Sequence, residues 1–260
     1  MYKRIIIPTV AFFLMGFVFM AFYGFGDAQK PTETSETTPV DLYDPIVVLE
    51  LFTSQGCSSC PPADALLRKV QQQHPEKVFA LSYHVDYWNY IGWEDPFSNS
   101  RYTQKQSFYN RKLGYRGNYT PEVIVNGQEH FVGSSASKMN AKISHYGSKK
   151  AENKINLSNV NRSDGAITFD FNVLGNLENK VLRAVLVLDE RTTSVKRGEN
   201  RNRTLTNSNI VVAENYVDLK TSGSGKVTVP ALVGKSDGMT LMLIAETENM
   251  DVTGATKSKV

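Results

Sequence analysis

Apolar positions change their spacing several times along this chain, and each change marks an element. Ile46-Val47-Val48-Leu49-Glu50-Leu51-Phe52 is short, β-branched and almost continuously apolar, the mark of a mostly buried strand. From Ala63 the period lengthens. Ala63, Leu66, Leu67 and Val70 fall at i, i+3, i+4 and i+7, one stripe of a helix that stops at His74-Pro75. Val78-Phe79-Ala80-Leu81-Ser82-Tyr83 predicts a second strand, and the polar, aromatic-studded stretch from Ser98 to Leu113 a second helix. Glu122-Val123-Ile124-Val125 and Glu129-His130-Phe131-Val132 flank Asn126-Gly127, a pair suited to a hairpin turn in which both residues take positive φ. Ser134 or Ser135 then caps a helix running to about Ser148.

The predicted order is β-α-β-α-β-β-α. Two parallel units, an antiparallel hairpin and a closing helix make an α/β sheet with helices on both faces, over residues 45–150. From Ala151 the character changes. Ala166-Ile167-Thr168-Phe169-Asp170-Phe171 alternates, and Leu182 to Leu188, Ile210 to Val212, Lys226 to Val229 and Met239 to Glu246 continue the series between Gly, Asn and Ser turns. No long helical period appears, so residues 151–260 are expected to form a second, small all-β, sandwich-like domain.

The first residues stand apart from both. Lys3 and Arg4 precede an uncharged run of 21 residues, Ile5 to Phe25. A helix of that length spans about 30 Å, the thickness of a bilayer's hydrocarbon core. Residues 1–26 are therefore expected to be a membrane anchor or a signal peptide, with Gly26-Asp27-Ala28 offering small residues for cleavage. Either way the basic flank stays inside and the rest is exported, to the periplasm or cell surface. Residues 27–44, with Pro31, Pro39 and five Ser or Thr, read as a linker. Net charge is only +3 and no basic block occurs, which gives nucleic acid no footprint.

Only two cysteines occur in the 260 residues, in Cys57-Ser58-Ser59-Cys60 between a predicted strand and a predicted helix. A sulfur near a helix N-terminus is favoured as thiolate, the attacking species in disulfide exchange, by the dipole and unpaired N–H groups there. The sulfur three residues on is placed to resolve a mixed disulfide. Two alternatives stay open. A structural bridge closing so short a loop contributes only about 2 kcal/mol. A metal site needs ligands beyond two thiolates, and His84 or His130 could supply a third toward a soft ion such as copper(I).

Further residues carry a resemblance. Leu113-Gly114-Tyr115-Arg116-Gly117-Asn118-Tyr119-Thr120-Pro121, a strand, Asn126-Gly127, a strand and Val132-Gly133 together resemble the second half of a thioredoxin. That resemblance implies a cis Thr120–Pro121 bond and a Thr120 backbone that serves as substrate platform beside Cys57. More closely, Leu49 to Asp64 with its Cys-Ser-Ser-Cys-Pro-Pro, His84-Val85-Asp86-Tyr87-Trp88, Tyr119-Thr120-Pro121 and Arg197-Gly198-Glu199-Asn200-Arg201-Asn202-Arg203 resemble a family of exported bacterial thioredoxin-like proteins filed under "domain of unknown function". Two departures from thioredoxin stand out. Ser58-Ser59 replaces Gly-Pro, and the family's buried strand Asp aligns with Leu51, leaving Glu50 one position off as a candidate proton acceptor.

His84, Asp86 and Trp88 follow the second strand at its C-terminal end, where open α/β sheets bind ligands, and are candidates to line a cleft over the cysteines. The Arg197 to Arg203 run reads as a solvated loop, a clamp on the first domain or a site for an acidic partner. The expected activity is thiol–disulfide exchange with Cys57 as nucleophile and Cys60 as resolving thiol, on an exported protein or small disulfide. No cofactor is called for. The alternative is a non-catalytic copper- or partner-binding module.

Overall fold

The computed structural model describes residues 42–163 and 165–260; the apolar N-terminal run and the linker up to residue 41 lie outside them. Among the described residues no helix is long and apolar enough to cross a membrane. The elements of the first half fall where the hydrophobic pattern puts them. Strand β1 (Val47–Thr53) leads through the cysteines into helix α1 (Pro61–Gln73), and strand β2 (Val78–His84) follows. A single 3-10 turn at Asn89–Ile91 precedes helix α2 (Ser100–Lys112). The hairpin of β3 (Glu122–Val125) and β4 (Glu129–Val132) turns on Asn126 and Gly127, with φ of 47° and 72°, before helix α3 (Ala136–Tyr146). Seven strands complete the chain: β5 (Lys154–Ser163), β6 (Ala166–Leu174), β7 (Lys180–Ser194), β8 (Thr204–Val217), β9 (Ser222–Thr228), β10 (Met239–Thr247) and β11 (Val252–Lys259).

Their arrangement corrects the expected architecture. The chain is not an α/β thioredoxin-like domain followed by a separate all-β sandwich. It is mostly β, and one mixed sheet of eight strands, ordered β11-β10-β7-β8-β2-β1-β3-β4, runs through both halves. A second sheet, β5-β6-β9, has three strands. The join is between β2 and β8, parallel through Ser82 and Ile210, with the Ser82 hydroxyl donating to the Ser208 carbonyl at 2.9 Å. All seven residues of β2 are buried, which a free sheet edge does not allow.

The cores explain why the halves fuse. On one face, Val48, Phe52, Leu81 and Tyr83 of the first half pack with Val185, Val187, Val211, Met242 and Ile244 of the second, beneath Tyr102 and Tyr109 of α2. On the opposite face, Leu49, Leu51 and Ala80 meet α1 and α3 through Leu67, Val70, Met139 and Ile143. Farther along that face, Leu182, Ala184 and Leu186 pack against Phe169 and Phe171 of the three-stranded sheet. Strand β7 therefore buries alternate residues on both faces, as its unbroken buried stretch Leu182 to Leu188 requires.

Candidate functional site

Strand β1 delivers the chain to the site. After Thr53, the amide of Gly56 donates to the Ser54 hydroxyl at 3.0 Å and that of Cys57 to the Ser54 carbonyl at 3.2 Å, folding a tight turn. Cys57 and Cys60 form a disulfide, with Cα atoms 5.5 Å apart. Neither cysteine has any exposed surface, whereas Ser58 and Ser59 between them are exposed. The Ser59 hydroxyl lies 3.3 Å from Cys57 Sγ.

The start of α1 is poorer in donors than its position suggests. Cys60 is the N-cap, and Pro61 and Pro62 occupy the first two helical positions, where no N–H exists. The next two amides, of Ala63 and Asp64, both donate to the Cys60 carbonyl, at 2.8 and 3.1 Å. The free N–H groups expected at the sulfurs from the sequence are therefore missing or already bonded, the Cys60 amide donating to the Cys57 carbonyl at 3.3 Å.

One helical turn past the disulfide begins a buried polar network that takes in the sequence candidate His84 together with Asp64, Asp95 and Gln55, which the sequence pattern did not point to. Asp64 stands one turn after Cys60 on the inner face of α1, with Oδ2 accepting from Thr53 Oγ1 at 3.2 Å and Oδ1 without a partner. Burial pushes its carboxyl up to about 7, against the opposing pull of His84 and the Thr53 hydroxyl. Thr53 and His84 are register partners on β1 and β2. His84 Nδ1 is 2.7 Å from Asp95 Oδ2, and both side chains are fully buried. Burial works to neutralise each of them, but their mutual attraction raises His84 and lowers Asp95. Asp95 also receives the amides of Gln55 at 2.8 Å and Phe97 at 3.0 Å. The Gln55 side chain continues the network to Asn207 and Trp93, at 3.0 and 3.2 Å.

The other expected site residues separate into those near the cysteines and those elsewhere. The Thr120–Pro121 bond is cis. Trp88 ties that segment to the cysteine turn: its Nε1 donates to Thr120 Oγ1 at 2.8 Å, and its Cβ lies 3.2 Å from where a Cβ on Gly56 would stand. Asp86 faces α2, where Thr103 holds it through both the Asp86 amide and its carboxylate. Glu50 points to the sheet face opposite α1, and its Oε1 lies 2.6 Å from Nη2 of the buried Arg183. It is therefore an ion-pair partner and not a proton acceptor for the cysteines. His130 is held by Tyr119 at 2.9 Å and by Glu122 at 3.1 Å. Glu122, next to Pro121, receives Gln106 at 2.7 Å, and burial raises its carboxyl to about 7. Among the described residues no cluster of three His, Cys, Asp or Glu side chains is placed to hold a metal ion.

The arginine-rich run is a clamp. The loop between β7 and β8, residues 195–203, folds over the cysteine turn. Ser58 N–H donates to Glu199 Oε2 at 2.9 Å, and the Asn200 amide donates to the carbonyls of both Gln55 and Cys57 at 2.9 Å. Arg203 fixes that amide by donating to Asn200 Oδ1 at 2.7 Å. Asn200 is fully buried, and Gly198, with φ of 74°, lies so close to Ile91 that a Cβ would come within 2.9 Å of Ile91 Cδ1. Nothing in the local sequence pairs residues 55–58 with 199–200; the fused sheet does.

A crystallised protein of Agrobacterium tumefaciens shares 31% identity with this chain, over 84% of this chain and 95% of its own length, with a TM-score of 0.60. A β-glucosidase of Kluyveromyces marxianus is 12% identical over 44% of this chain and 14% of its own, with a TM-score of 0.20. No curated protein matches. The family described as "Protein of unknown function (DUF1223)" matches residues 48–244, which take in the cysteine turn, the buried network and the clamp, and the chain belongs to that family.

Proposed function

We propose that the protein is a thiol–disulfide oxidoreductase acting outside the cytoplasm on an exported protein or small disulfide. The observation that supports this reading best is the placement of the Cys57–Cys60 disulfide at a strand–helix junction, one helical turn before the buried Asp64 carboxyl, whose Oδ1 takes no hydrogen bond. A bridge across four residues does little for stability, about 2 kcal/mol in the loop-entropy account. Surrounding it with ionisable groups makes sense where protons move with electrons.

In the reducing direction, the Cys57 thiolate attacks one sulfur of a substrate disulfide, and the other substrate sulfur leaves as thiolate. Cys60 gives its proton to the Asp64 carboxylate and attacks Cys57 Sγ. The mixed disulfide breaks, the second substrate thiolate leaves, and the Cys57–Cys60 bond closes. Two electrons pass to the substrate, and the oxidising direction reverses each step. Thr120 and the cis Pro121, held to the cysteine turn by Trp88, form the rim on which an extended substrate rests.

The test is dithiothreitol-driven reduction of insulin together with trapping by Cys60→Ser. Wild type accelerates reduction, Cys57→Ser does not, and Cys60→Ser accumulates a mixed disulfide through Cys57. Wild-type protein no faster than dithiothreitol alone, with no trapped species, would overturn the reading.

A further inference from the structure

For a thiol to reach this disulfide, something must move, because neither cysteine has exposed surface. Three hydrogen bonds to the backbone of the turn come from the 195–203 loop. Asn200 grips the carbonyls on both sides of Gly56, those of Gln55 and Cys57, while Glu199 takes the amide of Ser58. The Gln55–Gly56 and Cys57–Ser58 peptide groups are thus pinned from a segment more than 140 residues away in sequence. The grip is built and not incidental. Asn200 is fully buried, Arg203 orients its amide, and Val195 anchors the base of the loop with no exposure. Glu199, by contrast, is exposed, so its bond to Ser58 competes with water and is the easier one to release.

We infer that the 195–203 loop is a strap that gates the disulfide, with Asn200 and Glu199 as its positioning residues. Closed, it holds Cys57 in the sheltered geometry. Lifted, it frees the Ser58 N–H and the Gln55 and Cys57 carbonyls of the cysteine turn, backbone groups that an approaching polypeptide partner satisfies in its place. The inference rests on the proposed exchange for its biological meaning, but the gate itself is measurable without any protein substrate.

The experiment follows reduction of the native, full-length protein by dithiothreitol. One dithiothreitol thiolate attacks a protein sulfur, breaking the Cys57–Cys60 bond and forming a mixed disulfide. Its second thiol closes the oxidised ring, leaving two protein thiols. Alkylation and mass measurement count those thiols with time, and reoxidation by oxidised dithiothreitol gives the reverse rate.

Losing the two Asn200 bonds in Asn200→Ala is expected to speed reduction about tenfold or more, and losing the single exposed bond in Glu199→Ala about threefold. A gate speeds reduction and reoxidation by the same factor, leaving the equilibrium with dithiothreitol unchanged. Two results overturn it: rates in both variants within twofold of wild type, or faster reduction with unchanged reoxidation, which marks the loop as a mere stabiliser of the oxidised form. Should Asn200→Ala fail to fold, Glu199→Ala carries the test, since an exposed side chain leaves packing intact. Insulin reduction that fails while these rates still shift would remove the exchange reading and leave the gate standing.

Discussion

Asp64 is the residue on which chemistry and stability meet. In the folded protein burial holds its carboxyl protonated up to about pH 7, whereas in the unfolded chain it ionises from about pH 4. Folding therefore takes up a proton between these limits. Stability contributed by the neutral form is present at low pH and is lost as pH rises toward 7, beyond which the loss is constant. Glu122, raised to about 7 in the same way, adds a slope of the same sign. Asp64→Asn keeps the shape and removes one of the two. Its melting temperature relative to wild type is expected to climb by about 5 °C between pH 5 and pH 8. Thermal melts across that range check this, and an offset independent of pH would contradict the burial argument. In exchange, the same variant leaves Cys57 reactive but slows closure by Cys60 about a hundredfold, the usual scale for a lost proton acceptor. Rapid-quench measurement of the mixed disulfide reads that step. The residue gave no signal beforehand, because an Asp in the first turn of a helix is ordinarily an exposed complement to the dipole. Only the packing of α1 on Thr53 and His84 turns it inward.

At the scale of the element, helix α1 begins with two prolines that set its direction and withhold donors from the sulfurs. A side chain at the N-cap normally accepts from the second or third helical amide, and Pro62 removes the nearer of these. Pro62→Ala restores an N–H that the Cys60 sulfur accepts from once the bridge is reduced, lowering the cost of its ionisation. The reduced form gains stability, so the variant is expected to be the stronger oxidant, by about two- to fivefold in its equilibrium constant against glutathione. Equilibration in glutathione buffers followed by alkylation measures it; an unchanged or lower constant would mean that the restored amide does not face the sulfur. Elements were the most legible level of this protein. The apolar runs placed β1, α1 and β2, and Asn126-Gly127 placed the hairpin, because each depends on residues close together in the chain. The site was half legible. Trp88 reaches from the cysteine turn to Thr120 and His84 enters the buried network around Asp64, whereas Glu50 and Asp86 turn to the other face of the sheet or to α2.

The whole molecule was not legible, and the reason lies in one strand pairing and one ion cluster. β8 meets β2 through a single register pair separated by more than a hundred residues, and no local period records that. What secures the junction is Arg183, fully buried on β7. It lies 2.6 Å from Glu50 of β1, 3.0 Å from Glu214 of β8 and 2.8 Å from Glu246 of β10, and it donates to the Tyr83 hydroxyl of β2 at 2.7 Å. Lys105 of α2 adds a second cation 3.3 Å from Glu214. Burial disfavours the carboxylates of Glu214 and Glu246. The two cations overcome this at Glu214, bringing it down to about 2, while Glu246 stays raised. Arg183→Met leaves three acids facing one lysine, and breaking a buried pair in this way costs about 3–5 kcal/mol. The deficit should shrink as pH falls from 7 to 5 and the stranded acids take up protons. Because the cluster and the core above it draw on both halves, the loss should not be confined to either. Both tryptophans, Trp88 and Trp93, lie in the disulfide half around the cysteine turn, so their fluorescence reports that region while far-UV circular dichroism reports every strand. In wild type and in Arg183→Met the two signals are expected to melt together, the variant at lower temperature by both probes. A fluorescence transition that stays in place while the dichroism shifts would mean that the continuous sheet joins two units that fold independently.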